Sequence, residues 1–108
     1  MTNPLATLLQ QAQEIQEKLQ QLERELSQIE VVGEAGAGLV KVRVTGDGTV
    51  KQVSIDPTLL EEERKIVEEL VAAALNDGLR KARAVKEEKL GELTASLPFG
   101  LGKINLPF

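Results

Sequence analysis

The sequence of 108 residues contains no cysteine and no histidine, and its aromatic side chains are limited to two phenylalanines. Without these residue types the chain has no disulfide, no thiolate or imidazole metal site, no cysteine nucleophile and no histidine general base. No apolar run approaches the length of a membrane span, and the first residues lack the pattern of a signal peptide. We therefore expect a cytoplasmic protein that is not an enzyme, with no cofactor, no membrane contact and no small-molecule substrate.

What the sequence does contain is typical of one small globular domain with an aliphatic core, since 42% of the residues are hydrophobic and 28% are charged. The formal net charge is −4, so the field of the whole molecule repels polyanions. The charge is unevenly distributed: residues 1–30 carry −3, residues 57–78 carry −4, and residues 79–108 carry +3. Any binding of a polyanion must therefore use a local patch, and only the last block has a basic surplus.

The first segment predicts a long amphipathic helix. Its apolar residues recur at alternating spacings of three and four, which is a heptad seam: Leu5, Leu8, Ala12, Ile15, Leu19, Leu22, Leu26 and Ile29. Asn3 is suited to cap the helix, and Pro4 to occupy its first position. Gln and Glu fill most other positions, so the opposite face is hydrophilic and the seam needs a packing partner.

The middle of the chain predicts three short antiparallel strands. Residues 31–35 form a weaker strand, in which glycine indicates a close backbone approach or a bulge. Alternating residues 39–45 and 49–55 form a hairpin around a two-residue turn at Asp47-Gly48. This register places Val42 opposite Val53 and Lys51 opposite Val44 near the tip, and it pairs two further apolar residues, Val40 and Ile55.

The second long helix is predicted to begin at Asp56-Pro57, an N-cap followed by proline, with the acidic run of residues 61–63 as its first turn. Its apolar stripe is broad, which indicates burial on more than one side. Gly78 indicates either a kink in the helix or the close approach of another backbone to it. The run of small residues Ala72-Ala73-Ala74 favours the close approach. The domain spans residues 1–93. Residues 94–108 form a Gly/Pro/Leu-rich tail that we expect to be flexible, with docking through its apolar residues as the alternative.

These elements give an α+β fold: a long helix, a three-stranded antiparallel sheet and a second long helix. One small sheet cannot cover both apolar helix faces, although packing of the two helices on each other within one chain would cover part of the seam. A closed two-fold dimer covers more of the apolar surface, so we expect a homodimer.

The candidate binding residues lie on the distal half of the second helix: Arg80, Lys81, Arg83, Lys86 and Lys89. Four of them are spaced three residues apart and share a slowly drifting face: Arg80, Arg83, Lys86 and Lys89. This strip is suited to phosphates, but basic residues near a helix C-terminus also complement the helix dipole. Lys41 and Arg43 form a second small group on the hairpin, where polar residues on a solvated sheet face are routine. The glycine run of residues 33–38 lacks the spacing of a phosphate-binding loop, and the acidic run of residues 61–63 lacks that of a calcium loop.

The order of four segments makes the sequence resemble the YbaB/EbfC family of bacterial nucleoid-associated proteins. These segments are the Gln-rich helix at residues 10–18, the run from Gly33 to Val42, the step Ile55-Asp56-Pro57, and residues 70–77 with the sequence LVAAALND. The resemblance covers essentially the whole chain.

The resemblance implies an intertwined cytoplasmic homodimer whose protruding helices bind duplex DNA in the nucleoid, with a role in nucleoid organisation and gene regulation. In such proteins the contacts are attributed to the first and last helices, which implies the five basic residues of the second helix together with Lys18 and Arg24 of the first. The alternative function is a coiled-coil adaptor or chaperone-like module that binds proteins and not DNA. An enzyme would need paired carboxylates in a pocket, and no spacing in the sequence requires one.

Overall fold

The computed structural model describes residues 3–96, and it confirms the predicted α+β architecture. The elements in chain order are α1 (Pro4–Gln28), β1 (Glu30–Ala35), β2 (Val40–Thr45), β3 (Val50–Ile55), a 3₁₀ turn (Pro57–Glu61) and α2 (Arg64–Ser96). Neither helix carries an apolar stretch of the length and hydropathy that a bilayer span requires within residues 3–96. The predicted tail begins inside the last turn of α2. Residues 97–108 lie outside the described residues, so the flexibility of the tail stays a prediction.

Helix α1 begins where its capping residues predict. The Asn3 side chain accepts a hydrogen bond from the Leu5 backbone N–H at 3.1 Å, and Pro4 occupies the first helical position. The cap satisfies one of the N–H groups that the first turn leaves without a partner. Only the last turns of the heptad seam are covered, with Leu22 and Leu26 buried.

The three strands form one antiparallel sheet in the order β1-β2-β3. Val42 pairs with Val53 and Val40 with Ile55, as the alternation predicts, and Lys41 and Arg43 lie on the opposite face. The inward valines of β2 are completely buried. The register follows from the two-residue period, because a shift by one residue would turn these valines to solvent.

The tip of the β2–β3 hairpin corrects two sequence predictions. β2 ends at Thr45 and β3 begins at Val50, so residues 46–49 connect the strands instead of two residues, and the Thr45 N–H closes this loop by donating to the Thr49 carbonyl at 2.9 Å. A two-residue Asp-Gly turn of the favoured type needs both residues at positive φ, and only Gly48 is there, at +88°. The longer loop creates a bulge: Val44 pairs with Val50, and Lys51 is the extra residue of β3. The bulge places Val50, instead of Lys51, on the apolar face.

The predicted start of the second helix is also corrected. The Asp56 side chain does cap a helical turn, accepting from the Thr58 N–H at 2.9 Å, but that turn is the separate 3₁₀ segment. The turn ends because Glu62 is extended, with φ −81° and ψ 168°, and α2 starts two residues later at Arg64. Of the acidic run, Glu61 thus ends the 3₁₀ turn, residues 62 and 63 connect it to α2, and none lies in the first turn of α2. Leu59 of the 3₁₀ turn packs into the core.

Helix α2 packs mainly over β1 and β2, and the contact depends on small residues. Gly33 of β1 lies against the backbone of α2 so closely that a Cβ atom there would be 2.3 Å from the Ala74 carbonyl oxygen and 2.3 Å from the Gly78 nitrogen. The contact is the close backbone approach, one of the two alternatives predicted at Gly33 and the favoured one at Gly78. The core cluster at this contact contains Val40, Val42, Val44, Leu59, Ala74 and Ala82.

A second apolar cluster joins the two helices away from the sheet. Leu22 and Leu26 of α1 pack on Leu90 of α2, and Leu19 and Leu93 border them. The two helices run in opposite directions. The last turns of α1 contact Leu90 near the C-terminus of α2, and β1, which follows α1 in the chain, crosses α2 at the earlier residue Gly78. The molecule formed by the described residues is elongated and measures 74 × 22 × 17 Å along its principal axes. The helix pair lies at one end of it, away from the sheet.

Candidate nucleic-acid interface

The basic residues predicted on α2 do not form one continuous strip. The structure distributes them over three neighbourhoods: the contact of α2 with β1, the space beside the β2–β3 loop, and the groove between α1 and α2. Each neighbourhood gives its cations different partners. The contacts of each decide which cations remain available to a ligand.

At the contact with β1, Asp77 forms ion pairs with two of the predicted cations, Arg80 and Lys81. The Lys81 ammonium lies 3.0 Å from Asp77 Oδ2 and donates a hydrogen bond of 3.0 Å to the Val32 carbonyl. Arg80 donates to the other carboxylate oxygen. The Glu34 backbone N–H also donates to Asp77 Oδ2, at 2.9 Å. Lys81 therefore ties α2 to β1, whereas most of the Arg80 side chain remains exposed.

The pKa of Asp77 lies below its ordinary value of 3.8, first because of the Glu34 N–H bond and then because of Lys81. The carboxylate stays ionised at neutral pH. Sequence reasoning missed Asp77 as a structural residue, although its position three residues before Arg80 and four before Lys81 is the spacing of helical ion pairs.

Beside the β2–β3 loop, Arg83 and Lys86 are both exposed and line one cleft of about 280 Å³. Among residues 3–96, no carboxylate oxygen lies within ion-pair distance of either cation. Glycine backbone at positions 46 and 48 forms part of the opposite wall. These two cations are therefore the members of the predicted strip with the least compensated charge.

The same cleft is also lined by two carboxylates, Asp47 and Glu87. Asp47 is held by its own loop: the Thr45 hydroxyl donates to Oδ1, and the Thr49 N–H donates to the same atom at 3.3 Å. These bonds, that of Thr45 first, lower the pKa of Asp47 below 3.8. An anion in the cleft is therefore attracted by Arg83 and Lys86 and repelled by both carboxylates.

In the groove between the helices, the structure brings Lys18 of α1 next to Lys89 of α2, where both line a second cleft. Lys89 lies 3.9 Å from Glu92 Oε2, and Glu25 borders the same cleft. Arg24, the other candidate on α1, is exposed and makes no ion pair with residues 3–96. The sequence alone gave no means of placing Lys18 beside Lys89, because the contact depends on the register of the two helices.

The second basic group, on the sheet, has local partners. Lys41 lies 4.0 Å from Glu34, and Arg43 lies 3.4 Å from Glu30, both across the β1–β2 pair. These are exposed cross-strand ion pairs, which contribute little to stability and partly neutralise the sheet face. The structure thus favours the routine interpretation of this group over a binding role.

Comparison with known proteins gives three results. The model of the YbaB/EbfC DNA-binding family matches residues 1–97. The nucleoid-associated protein MCA1327 of Methylococcus capsulatus is 48% identical over 108 residues, which is the full length of both chains. The crystal structure of the uncharacterized protein HP0035 from Helicobacter pylori superposes with a TM-score of 0.71, at 23% identity, over 86% of this chain and 98% of that one. The last similarity concerns the fold alone.

Proposed function

Because the chain belongs to the YbaB/EbfC DNA-binding family, we propose that it binds duplex DNA as a homodimer, mainly through phosphate contacts from the distal half of α2. The relative from Methylococcus capsulatus is named a nucleoid-associated protein, and we extend that role in nucleoid organisation and gene regulation to this chain. The activity is binding and not catalysis, and the protein is expected in the nucleoid.

The observation that carries the proposal is the pair Arg83 and Lys86. Both are exposed on the part of α2 that extends toward the helix pair, and neither forms an ion pair with a carboxylate of residues 3–96. Each phosphate of a duplex carries one negative charge, and its neutralisation releases condensed counterions. Arg80 and Lys89 flank the pair and are available as additional phosphate contacts, whereas Lys81 is bound to β1.

The same chemistry argues for weak sequence readout. Phosphate contacts fix the position of a protein on a duplex but carry no base identity. Tyrosine and tryptophan are absent from the chain, so base stacking by those side chains contributes nothing. We therefore propose that the protein binds many sequences with similar affinity.

The homodimer is supported by an uncovered part of the apolar sheet face. Val53 and Val50 of β3 point to the same side as the buried valines of β2, yet they remain 42% and 40% exposed because α2 covers mainly β1 and β2. Leu60 and Ile66 are exposed nearby in the chain. We propose that a second copy covers this face, so that two α2 arms with equivalent cations extend from one dimer.

The test is a charge reversal with a matched control. Arg83→Glu with Lys86→Glu should abolish binding of random-sequence duplex in a gel-shift titration, while sedimentation shows an unchanged dimer. Arg64→Glu with Lys65→Glu makes the same change of net charge on two exposed residues at the start of α2 and should retain most of the affinity.

Arg80 is left intact in this test, because its substitution would also disturb Asp77. Equal loss of affinity in both variants would contradict the proposed site. A wild-type protein that ignores duplex DNA would support the adaptor or chaperone-like alternative instead.

A further inference from the structure

The first turns of α1 expose three leucines on one part of the helix surface. Leu5, Leu8 and Leu9, here called the leucine stripe, are 63%, 62% and 59% exposed. A single exposed leucine is ordinary, but three adjacent ones on a helix are more typical of a contact surface. The stripe lies on α1, whereas the face assigned above to the dimer lies on β3, so the two are separate apolar surfaces.

The leucine stripe continues an apolar contact that already exists. Leu5 and Leu8 belong to the same heptad seam as Leu19, Leu22 and Leu26, and those three pack against α2. Because the helices are antiparallel, the seam is covered as far as α2 reaches: Leu93 borders the same cluster as Leu19, and the described helix ends at Ser96. The uncovered part from Pro4 to Ile15 is about 18 Å long. The seam is therefore exposed where α2 ends.

The chain itself continues at this point. Residues 97–108 follow Ser96 directly, and their leucine, isoleucine and phenylalanine side chains include both phenylalanines of the sequence: Leu97, Phe99, Leu101, Ile104, Leu106 and Phe108. Twelve residues in extended form reach up to about 40 Å, more than twice the uncovered length of α1. The described end of α2 thus lies where the covered part of the seam ends, and the twelve residues that follow in the sequence have the length and the apolar side chains to reach the start of α1.

We propose that residues 97–108 dock on the leucine stripe of the same chain and extend the covered seam to the start of α1. Sequence alone left a flexible tail and a docked tail as alternatives; the position and exposure of the stripe favour docking. Burial of leucine and phenylalanine on each other removes apolar surface from water, and the end of α2 already holds the segment next to its site. The proposal is independent of DNA binding.

The test uses the full chain and its lack of native cysteine. Gln13→Cys places a nitroxide label on an exposed position of α1 outside the stripe. In ¹⁵N-labelled protein the amide signals of residues 97–108 should lose most of their intensity, because a docked segment lies close to the label. Unchanged intensities would overturn the proposal.

Two variants separate docking from mere proximity. Leu5→Gln with Leu9→Gln should restore the intensities, whereas Val32→Gln, which changes a valine that is 45% exposed on β1 outside the proposed dimer face, should not. All these residues are exposed, so the fold tolerates the changes. Intensities that stay low in the stripe variant would mean that the leucines do not hold the segment, which contradicts the proposal.

A second copy is the competing occupant of the stripe. Mixing spin-labelled, unenriched protein with unlabelled ¹⁵N-enriched protein detects it: signal loss in residues 97–108 of the mixture would assign the stripe to another chain and overturn the proposal. As an independent readout, Phe99→Ser with Leu101→Ser should raise the hydrogen-exchange rates of amides in residues 8–12 by about tenfold, since docking protects those turns from opening. Unchanged exchange rates would also contradict docking.

Discussion

Gly33 of β1 and Gly78 of α2 bring two backbones into direct contact: a Cβ on Gly33 would lie 2.3 Å from the Gly78 nitrogen, and a Cβ on Gly78 would lie 2.8 Å from Val44 Cγ2. The nearest neighbours of Gly33 are backbone atoms, which cannot move aside as a flexible side chain can. The two glycines thus set the distance between the sheet and α2.

We expect Gly33→Ala to lower the free energy of unfolding by about 3 kcal/mol or more, because overpacking against backbone forces the helix off the sheet. Urea denaturation at a fixed protein concentration measures the change. Gly91→Ala is the matched control: no atom lies within 4 Å of its added Cβ, and the helix should gain about 0.5 to 1 kcal/mol. A Gly33 variant as stable as wild type would show that the contact is looser than described.

The Asp77 carboxylate makes stability depend on pH at the acidic end. Its pKa in the folded protein is lowered below 3.8, first by the Glu34 N–H and then by Lys81, so the folded state binds this proton less readily than the unfolded state. The stabilisation is therefore present above pH 4 and is lost as the pH falls through the lowered value. Asp77→Asn should flatten the fall in Tm below pH 4, measured by calorimetry. Parallel curves for the two proteins would mean that other carboxyls account for the dependence.

The DNA affinity should fall steeply with salt. If about four phosphates are neutralised by each subunit of a dimer, the slope of log K against log salt concentration is about −7. Fluorescence anisotropy with a labelled random duplex measures it between low and moderate salt. An affinity that does not change over this range would exclude phosphate contacts as the main source of binding.

The dimer should depend on β3. Val53→Lys places a charge on the proposed interface and should raise the dissociation constant of the dimer by about a hundredfold or more, because an unpaired charge is costly to bury. Sedimentation equilibrium measures the constant. Val32→Lys is the matched control, since Val32 is 45% exposed but lies on β1 outside the proposed interface. If only the control dissociates, the dimer uses another face.

Local chemistry made much of the fold predictable. The Asn3 cap, the start of α1 at Pro4 and the pairing of Val42 with Val53 all follow from spacing and capping within a few residues. The hairpin tip did not follow, because the Thr45 hydroxyl binds Asp47 and stabilises a longer loop than the Asp-Gly pair favours on its own. The start of α2 was misplaced because a proline after a cap begins a 3₁₀ turn as readily as an α-helix.

The sequence predicted which basic residues lie on α2, but it did not predict which groups those residues contact. Helical spacing placed the basic residues on α2, yet it did not reveal that Lys81 donates to the Val32 carbonyl, because that bond depends on the packing of α2 on β1. The sequence also did not show that Arg83 and Lys86 are available to a ligand. In the folded protein both lie beside the loop of residues 46–49, and neither forms an ion pair with a carboxylate of residues 3–96.

The apolar interior is divided between two clusters that share no residue, one at the sheet and one around Leu22, Leu26 and Leu90. Opening the helix pair disrupts the second cluster and leaves the first intact. We therefore expect the helix pair to open at a lower free-energy cost than the contact between α2 and the sheet, with the loss of only the leucine contacts around Leu90.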